Sequence, residues 1–242
     1  MRIPRFFIDM PLASDSEITL PDSVANHCAR VLRLKVDAPL ILFNGQGGEY
    51  HARLSHVEKR TVRAQLESLD PREAESPLQV IVAQGVSKGE RMDYTVQKSV
   101  ELGVSRITPI VAERTVVNLK GERAEKRRDH WQGVVVAACE QSGRNQVPVV
   151  DPLIDFRSWV NQPREGLKLV LHHRAPQDLR TLPQPSGPVT LLIGPEGGLS
   201  EQEIALAEQA GFISICLGPR VLRTETAALA TLSLLQLLWG DF

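Results

Sequence analysis

The rhythm of apolar and polar positions changes near residue 78 of this chain. From there, short apolar runs alternate with longer segments in which apolar residues recur at helical spacing. Such an alternation is typical of an α/β domain with a mostly parallel, buried sheet. The predicted strands are Leu78–Gln84, Arg106–Val111, Leu167–His172, Val189–Ile193 and Phe212–Leu217. The predicted helices are Arg91–Leu102, Glu122–Ser142, Ser200–Ala210 and Thr224–Trp239.

The first 70 residues follow a different pattern. Short strand-like runs at Leu40–Phe43, Glu49–Leu54 and Thr61–Leu66 are separated by glycine-bearing turns, and Asp22–Arg33 is the one helical segment. A small β-barrel is the natural closure for such a set. We therefore predict a β-barrel domain over residues 1–70, a proline-bounded linker over 71–77 and an α/β domain over 78–242.

Composition narrows the class of protein only slightly. The 242 residues are 42% hydrophobic and 24% charged, with a net charge of −1, so any nucleic-acid surface must be a local patch. Three widely spaced cysteines indicate reduced thiols and a cytoplasmic location. No signal peptide is recognisable, and the apolar segment Ala227–Trp239 is too short to span a membrane.

Two glycine-bearing segments, Ile193–Glu201 and Leu217–Ala227, each follow a predicted strand and lead into a predicted helix. Ser200 and Glu203 have the spacing of a capping box, so the first of these helices begins at the glycine loop. Neighbouring ends of parallel strands form small-molecule sites, and adjacent glycines let a ligand approach the main chain. A tight turn would explain the first segment equally well by itself; the second segment favours a ligand site.

The glycine loop is not a phosphate loop. It lacks the Lys-Ser/Thr pair of a P-loop and the spacing of a dinucleotide fingerprint. Glu196 would repel a phosphate but would suit a ligand with a positive centre, such as the amino group or the sulfonium of S-adenosylmethionine.

Other polar groups have competing explanations. His172 and His173 end a predicted strand; they point to opposite faces and predict no metal site, so they supply either backbone contacts to an adenine or an ordinary strand end. The run Glu140–Asn145 either caps a helix or reads a splayed-out base. Arginines near Phe6 and Phe7 are those expected of a barrel that docks RNA.

These segments closely resemble those of the RsmE family, the bacterial small-subunit rRNA uridine-N3 methyltransferases of the SPOUT (trefoil-knot) class. The resemblance extends to Arg2–Phe7, to His27 with Val31–Arg33, and to Glu140–Ser142 with Arg144. It departs at Ala38, where a turn glycine is expected. It implies a PUA-like β-barrel, a SPOUT domain with a C-terminal trefoil knot, S-adenosylmethionine as cofactor and no metal. The implied partners are 16S rRNA in the small ribosomal subunit and a second copy bound through the knot region, with no membrane.

Together, the residues and the resemblance predict three sets of site residues. Removing the weakly acidic N3 proton of uridine needs a base or a cation that stabilises the anion, and the candidates for catalysis are Arg223, Glu225 and Glu140. The candidate cofactor residues are Leu171, His172, His173, Gly194, Glu196, Gly197, Gly198, Leu217, Gly218, Leu222 and Thr226. The candidate RNA contacts are Arg2, Arg5, Arg30, Arg33, Arg144 and Arg220.

Three alternatives remain open at this point. A SPOUT enzyme could instead methylate a ribose 2′-hydroxyl. A nicotinamide-dependent oxidoreductase is disfavoured because Gln84–Gly89, after the first strand of the α/β region, lacks the glycine spacing of a dinucleotide site. A non-catalytic RNA-binding protein would have no reason to bind S-adenosylmethionine.

Overall fold

The computed structural model describes residues 3–58, 61–117 and 119–242, and its contacts divide the chain into two units. The first unit is Met1–Glu75 with Cys139–Val147, and the second is Ser76–Ala138 with Pro148–Phe242. The sequence predicts Cys139–Val147 in the α/β domain and a linker over 71–77, whereas the contacts assign Cys139–Val147 to the first unit and put the boundary within that linker. Side chains of this segment bond to Arg5, Arg72 and Glu75 of the first unit, which explains its assignment.

The first unit contains a five-stranded sheet of order β1-β3-β4-β5-β2. Its strands are β1 (Arg5–Phe7), β2 (Glu17–Thr19), β3 (Pro39–Phe43), β4 (Glu49–Val57) and β5 (Val62–Asp70). The β1–β3 pair is parallel and the other pairs are antiparallel. Residues from every strand pack into one apolar core, as in a small barrel.

The predicted helix Asp22–Arg33 is interrupted. It forms helix α1 (Asp22–Asn26), continues as a π-helical turn over His27–Val31, and stops at Arg33, whose φ is +51°. A residue in this left-handed region cannot continue a right-handed helix. The turn at Ala38 forms without the expected glycine: the Ala38 amide donates to the Lys35 carbonyl, and the positive φ falls on Asp37.

The second unit is an α/β domain, as the sequence predicts, and the described pairs of its sheet are all parallel. Its strands are β6 (Val80–Gly85), β7 (Val104–Val111), β8 (Val149–Val150), β9 (Ile154–Asp155), β10 (Leu167–Leu171), β11 (Gln177–Asp178), β12 (Val189–Ile193) and β13 (Ile213–Cys216). Their order is β11-β13-β10-β12-β6-β7-β8, with β9 also pairing with β7. The helices are α2 (Glu90–Glu101), α3 (Glu122–Ser142, its last turn in the first unit), α4 (Phe156–Val160), α5 (Glu201–Gln209) and α6 (Thr224–Trp239).

Two features of the second unit follow directly from its sequence. All five residues of β12 are buried, as expected for a central strand covered on both faces. The predicted capping box at the start of α5 is present: Ser200 accepts from the Glu203 amide, and Glu203 accepts from the Ser200 amide. Within the described part of the chain, none of the helices combines the length and the hydropathy that a membrane span requires.

The three cysteines are free. Burial raises the pKa of the Cys28 thiol to about 11 and that of the Cys139 thiol to about 12. Both side chains are therefore protonated, unreactive core residues at neutral pH.

Candidate active site

The carboxyl ends of three neighbouring strands surround a cleft in the second unit. Strand β10 pairs with β12 on one side and with β13 on the other, so the residues after Leu171, Ile193 and Cys216 reach the same edge of the sheet. The cleft there has a volume of about 360 Å³. Small-molecule sites span roughly 300–1,000 Å³ and favour this edge of a parallel sheet.

The glycine loop after β12 forms one wall of the cleft. The Gly198 amide donates to the Pro195 carbonyl at 2.8 Å, closing a tight turn. Gly198 has a φ of +69°, and a Cβ built on it would meet no atom within 4 Å. A side chain here would therefore cost strain in the left-handed region and would occupy space that the backbone leaves open beside the cleft.

Residues from two other segments hold the loop in place. Glu196 Oε1 accepts from the Lys88 amide at 2.8 Å and from Arg91 Nη1 at 3.2 Å. Arg114 Nη1 donates to the Gly197 carbonyl at 3.1 Å. The predicted contact between Glu196 and a positive ligand stays a prediction, since one of its oxygens already binds neighbouring segments.

The loop between β13 and α6 forms the opposite wall. Its residues Leu217, Gly218, Arg220 and Leu222 line the cleft, followed by Arg223. Arg223 is the N-cap residue of α6 and makes no side-chain cap hydrogen bond. Helix N-caps favour Ser, Thr, Asp and Asn, and a cation is disfavoured at the positive end of the helix dipole. An arginine that breaks both preferences at a cleft wall is the kind of local conflict found at functional sites.

Glu225 supplies a negative charge to the same wall. Its Oε2 atom is buried and has no hydrogen-bond partner among the described residues. Burying an unpaired carboxylate oxygen is costly, so the arrangement favours a ligand that brings a proton or a positive centre. The open glycine loop leaves its backbone accessible to a ligand such as S-adenosylmethionine, and the Glu225 oxygen remains available to accept a proton.

His172 and His173 also line the cleft, and their rings meet edge to face with centroids 5.2 Å apart. Burial lowers the pKa of His172 below its usual value, and the neighbouring His173 and Arg174 lower it further. His172 is therefore mainly neutral at neutral pH, which suits a place next to a cationic ligand.

One predicted cofactor residue does not reach the cleft. Thr226 is exposed and lies outside the lining, whereas Thr224 and Ala227 line it. Residues three apart share a face of a helix, so the turn that directs Thr224 and Ala227 inward carries Thr226 outward. The other ten predicted cofactor residues all line the cleft, together with Arg220, Arg223 and Glu225.

Sequence reasoning missed several lining residues, above all Arg91, Arg114 and Thr224. Arg91 lies in the first turn of α2, the helix that follows β6, and Arg114 lies three residues past the end of β7. Strand β6 lies next to β12, and β7 lies next to β6. Both arginines follow the carboxyl ends of these strands, and that position in the sequence was a signal that could have identified them.

The structure does not place the predicted RNA contacts Arg5 and Arg144 on the surface, because both are buried within the first unit. Arg5 forms an ion pair with Glu49 and donates to Asn145 Oδ1 at 2.8 Å. Arg144 forms an ion pair with Glu75 at 2.6 Å. Carboxylates distant in sequence thus neutralise both guanidinium groups.

The other site residues predicted in the N-terminal part and at Glu140 have different outcomes. Arg30 and Arg33 are exposed, whereas Arg2 lies outside the described residues. Glu140 Oε1 accepts from the Phe7 amide at 3.0 Å, and burial raises the pKa of Glu140 while that hydrogen bond lowers it. Glu140 therefore has a structural partner at strand β1, and its predicted catalytic role stays a prediction.

Two family models match the chain. One describes an RNA methyltransferase domain and covers residues 74–236, and the other describes an RNA methyltransferase PUA domain and covers residues 20–67. The chain is similar to proteins named ribosomal RNA small subunit methyltransferase E. It is 36% identical to the one from Buchnera aphidicola (Schizaphis graminum) over 99% of this chain and 98% of the relative. It is 31% identical to the one from Bacillus subtilis over 98% and 99%.

Solved structures agree with these sequence matches. A ribosomal RNA small subunit methyltransferase E from Neisseria gonorrhoeae, bound to S-adenosyl methionine, superposes with a TM-score of 0.94 at 43% identity, covering 100% of both chains. A methyltransferase from Legionella pneumophila, in complex with the bound cofactor SAM, superposes with a TM-score of 0.96 at 40% identity, also covering 100% of both chains. The predicted fold, a SPOUT domain with a C-terminal trefoil knot that follows a PUA-like barrel in the sequence, is thereby confirmed.

Proposed function

The chain belongs to the ribosomal RNA small subunit methyltransferase E family of S-adenosylmethionine-dependent rRNA methyltransferases, and we propose that it methylates N3 of a uridine in 16S rRNA. Family membership removes the oxidoreductase and the non-catalytic RNA-binding protein as alternatives. A different target atom, the ribose 2′-hydroxyl, is the alternative that an experiment must separate.

The cleft supplies the groups that hold the methyl donor. The glycine loop at Gly194–Gly198 and the second loop at Leu217–Leu222 offer backbone amides and carbonyls, with His172 and His173 at the third strand end. When bound, S-adenosylmethionine supplies an electrophilic methyl group on a sulfonium sulfur. The protein's part is to position that group and the target base. Such positioning can remove much of the entropic part of the activation barrier.

The observation that carries the proposal is the buried, unpaired Oε2 atom of Glu225 on the cleft wall. Uracil N3 must lose its proton before its lone pair can attack a carbon. Glu225 accepts that proton in our proposal, and Arg223, close by in the chain on the same wall, stabilises the negative charge that develops on the uracil ring. Arg220 contacts the RNA backbone at the rim, where its planar guanidinium can bind a phosphate through two hydrogen bonds.

The first unit docks the RNA through an exposed surface strip, Arg30–Arg33. Arg30 and Arg33 are exposed there, and they flank two solvent-facing apolar side chains, Val31 and Leu32, which are 68% and 41% exposed. Arginines attract phosphates, and exposed apolar side chains offer contact area to unpaired bases. The strip therefore combines the two kinds of contact that RNA recognition uses.

The partners are the small ribosomal subunit in the cytoplasm and a second copy of this chain. Leu237 and Leu238 in the last turn of α6 and Phe242 beyond it are 62%, 39% and 61% exposed, which supports an interface there. Light scattering of the full chain should give twice the mass of one chain. A mass that stays at one chain over a wide concentration range would contradict the dimer.

The target atom is tested with small subunits from a bacterial strain that lacks this methylation. The subunits are incubated with the chain and a labelled methyl donor, and the rRNA is digested to nucleosides for mass spectrometry against standards. We expect 3-methyluridine. A label in 2′-O-methyluridine would overturn the proposal in favour of the ribose alternative, and a parallel reaction on protein-free 16S rRNA tests whether the assembled subunit is the substrate.

A further inference from the structure

A short line of polar groups, running from the buried Gln84 to the wall of the cleft, connects three elements of the second unit. Gln84 near the end of β6 is fully buried, and its Nε2 atom donates to Thr224 Oγ1 at 2.8 Å. Thr224, the first residue of α6, donates in turn to the carbonyl of Gly194 at 2.6 Å. Gly194 is the first residue of the glycine loop, so this relay joins β6, α6 and the loop.

The directions of these hydrogen bonds follow from the number of protons. The Thr224 hydroxyl has a single proton, which it gives to Gly194, so it must accept from Gln84. Gln84 donates its second amide proton to the Gly85 carbonyl at 3.1 Å. Both amide protons are used, and neither a carboxylate nor an apolar side chain could replace this residue as a double donor.

Gln84 carries a cost that an apolar residue would avoid. The neighbouring strand residues Val82 and Ala83 are fully buried and apolar, whereas Gln84 Oε1 is buried with no partner anywhere in the described ranges. An unsatisfied buried polar atom is destabilising, so this oxygen offsets part of what the two donated hydrogen bonds contribute to stability. The role of the amide therefore lies in the groups that its two donated hydrogen bonds hold in place.

That role follows from the position of Thr224 between two groups of the cleft wall. Arg223 and Glu225 immediately flank it in sequence, and both line the cleft. Gly85, next to Gln84, is packed so closely on the glycine loop that a Cβ there would be 2.3 Å from the Pro195 nitrogen. Strand β6 is thus held against the loop, and the relay extends that rigid contact to the start of α6.

We propose that Gln84 is a positioning residue that acts through Thr224, fixing the start of α6 against the glycine loop so that Arg223 and Glu225 meet the target base in reactive geometry. The inference rests on the catalytic roles proposed above for Arg223 and Glu225. Misplacement of a reacting group by about 1 Å can cost about a hundredfold in rate, so Gln84, which is not among the residues that line the cleft, can still control turnover.

The test compares two threonines of the same helix. Thr224→Val removes the relay hydroxyl with little change in shape, and Thr224→Ser keeps it. Thr231→Val is the matched control, because Thr231 is fully buried in α6 and its Oγ1 donates within the helix to the Ala227 carbonyl. Gln84→Leu removes both donors, and the threonine variants keep the test decisive if Gln84→Leu does not fold.

The measurements are single-turnover methylation of small subunits and equilibrium binding of S-adenosylmethionine. We expect Thr224→Val and Gln84→Leu to slow turnover about tenfold to a hundredfold while cofactor affinity stays within about threefold. Thr224→Ser should restore the rate, and Thr231→Val should keep it. A wild-type rate for Thr224→Val, no recovery with Thr224→Ser, or a parallel loss of cofactor affinity would overturn the inference.

These outcomes are distinguishable from failure of the proposed function. The identity of the methylated nucleoside is read from the wild-type reaction and does not depend on the relay. If the product is not 3-methyluridine, the proposed function fails, while the rate ratio between Thr224→Val and Thr231→Val still reports on the relay.

Discussion

The cleft of the second unit and the buried network of the first unit both gather arginines, but they use them in opposite ways. In the first unit, Arg5 and Arg144 are buried and paired with Glu49 and Glu75. In the cleft, Arg220 and Arg223 are exposed, and neither forms an ion pair with a described residue. The difference separates guanidinium groups that are already satisfied by the fold from those that remain available to a substrate.

Desolvation explains why the two sets cannot exchange roles. A buried guanidinium must be paired, and its removal leaves a buried carboxylate without its counter-charge. An exposed guanidinium at a cleft contributes little to folding, but it can stabilise charge when a substrate excludes water. Mutations should therefore affect stability in one region and turnover in the other.

The largest expected effect is on the stability of the first unit. Arg5→Ala leaves Glu49 buried with only the half-exposed Arg72 at 3.2 Å, and should lower the free energy of unfolding by about 3–5 kcal/mol. Arg63→Ala, which breaks the exposed pair with Glu17, is the control and should cost at most about 1 kcal/mol. Urea denaturation measures both. Equal stability of the two variants, together with weaker RNA binding by Arg5→Ala, would show that Arg5 contacts RNA and is not mainly a structural residue.

The next effect is on turnover at the cleft. Arg223→Ala should slow single-turnover methylation by about two to three orders of magnitude, the loss typical of a preorganised charge-stabilising donor, with cofactor affinity little changed. Arg223→Lys should recover part of the rate, because it keeps the charge but loses the planar fork. Arg220→Ala is the comparison within the same loop. If Arg220→Ala loses the rate and Arg223→Ala keeps it, the two roles are reversed.

A smaller effect is expected at the RNA-docking strip. Arg30→Ala and Arg33→Ala should each reduce the salt dependence of RNA binding by about one unit of slope and leave protein stability nearly unchanged. Filter binding across a salt series measures the slope, with Arg63→Ala as the charge-matched control from the same unit. An unchanged slope in the double variant would show that the RNA does not dock through these arginines.

The two regions also differ in how far the sequence predicts them. The cleft is set by the ends of parallel strands, and apolar runs such as Val189–Ile193 reveal both the strand and the residue at which it ends. Convergence of strand ends then follows from the topology of a parallel sheet. The predicted cofactor residues line the cleft for this reason. The one exception is Thr226, because whether a residue of α6 faces the cleft depends on where the helix begins and how it is rotated.

The side-chain network of the first unit cannot be predicted from apolar runs and strand ends. Whether Arg5 faces solvent depends on Glu49 and Asn145, which are 44 and 140 positions away. No local pattern shows that Cys139–Val147 contributes to this unit, or that the glycine expected at Ala38 would be replaced by a positive φ at Asp37. The buried Gln84 relay is likewise invisible, since its partners belong to three separate elements.

The central claim, that the glycine loop binds the methyl donor, is tested most directly by calorimetric titration of S-adenosylmethionine into three proteins. Gly198→Val places a branched side chain at a φ of +69° beside the cleft, and Gly121→Val makes the same change at a φ of +53° before α3, where a Cβ also meets no atom within 4 Å. Both variants carry similar backbone strain, of order 1–3 kcal/mol, but Gly121 lies outside the cleft lining. We predict that the Gly121 variant binds like the wild type and that the Gly198 variant binds at least about tenfold more weakly. A folded Gly198→Val protein with wild-type affinity would contradict the account.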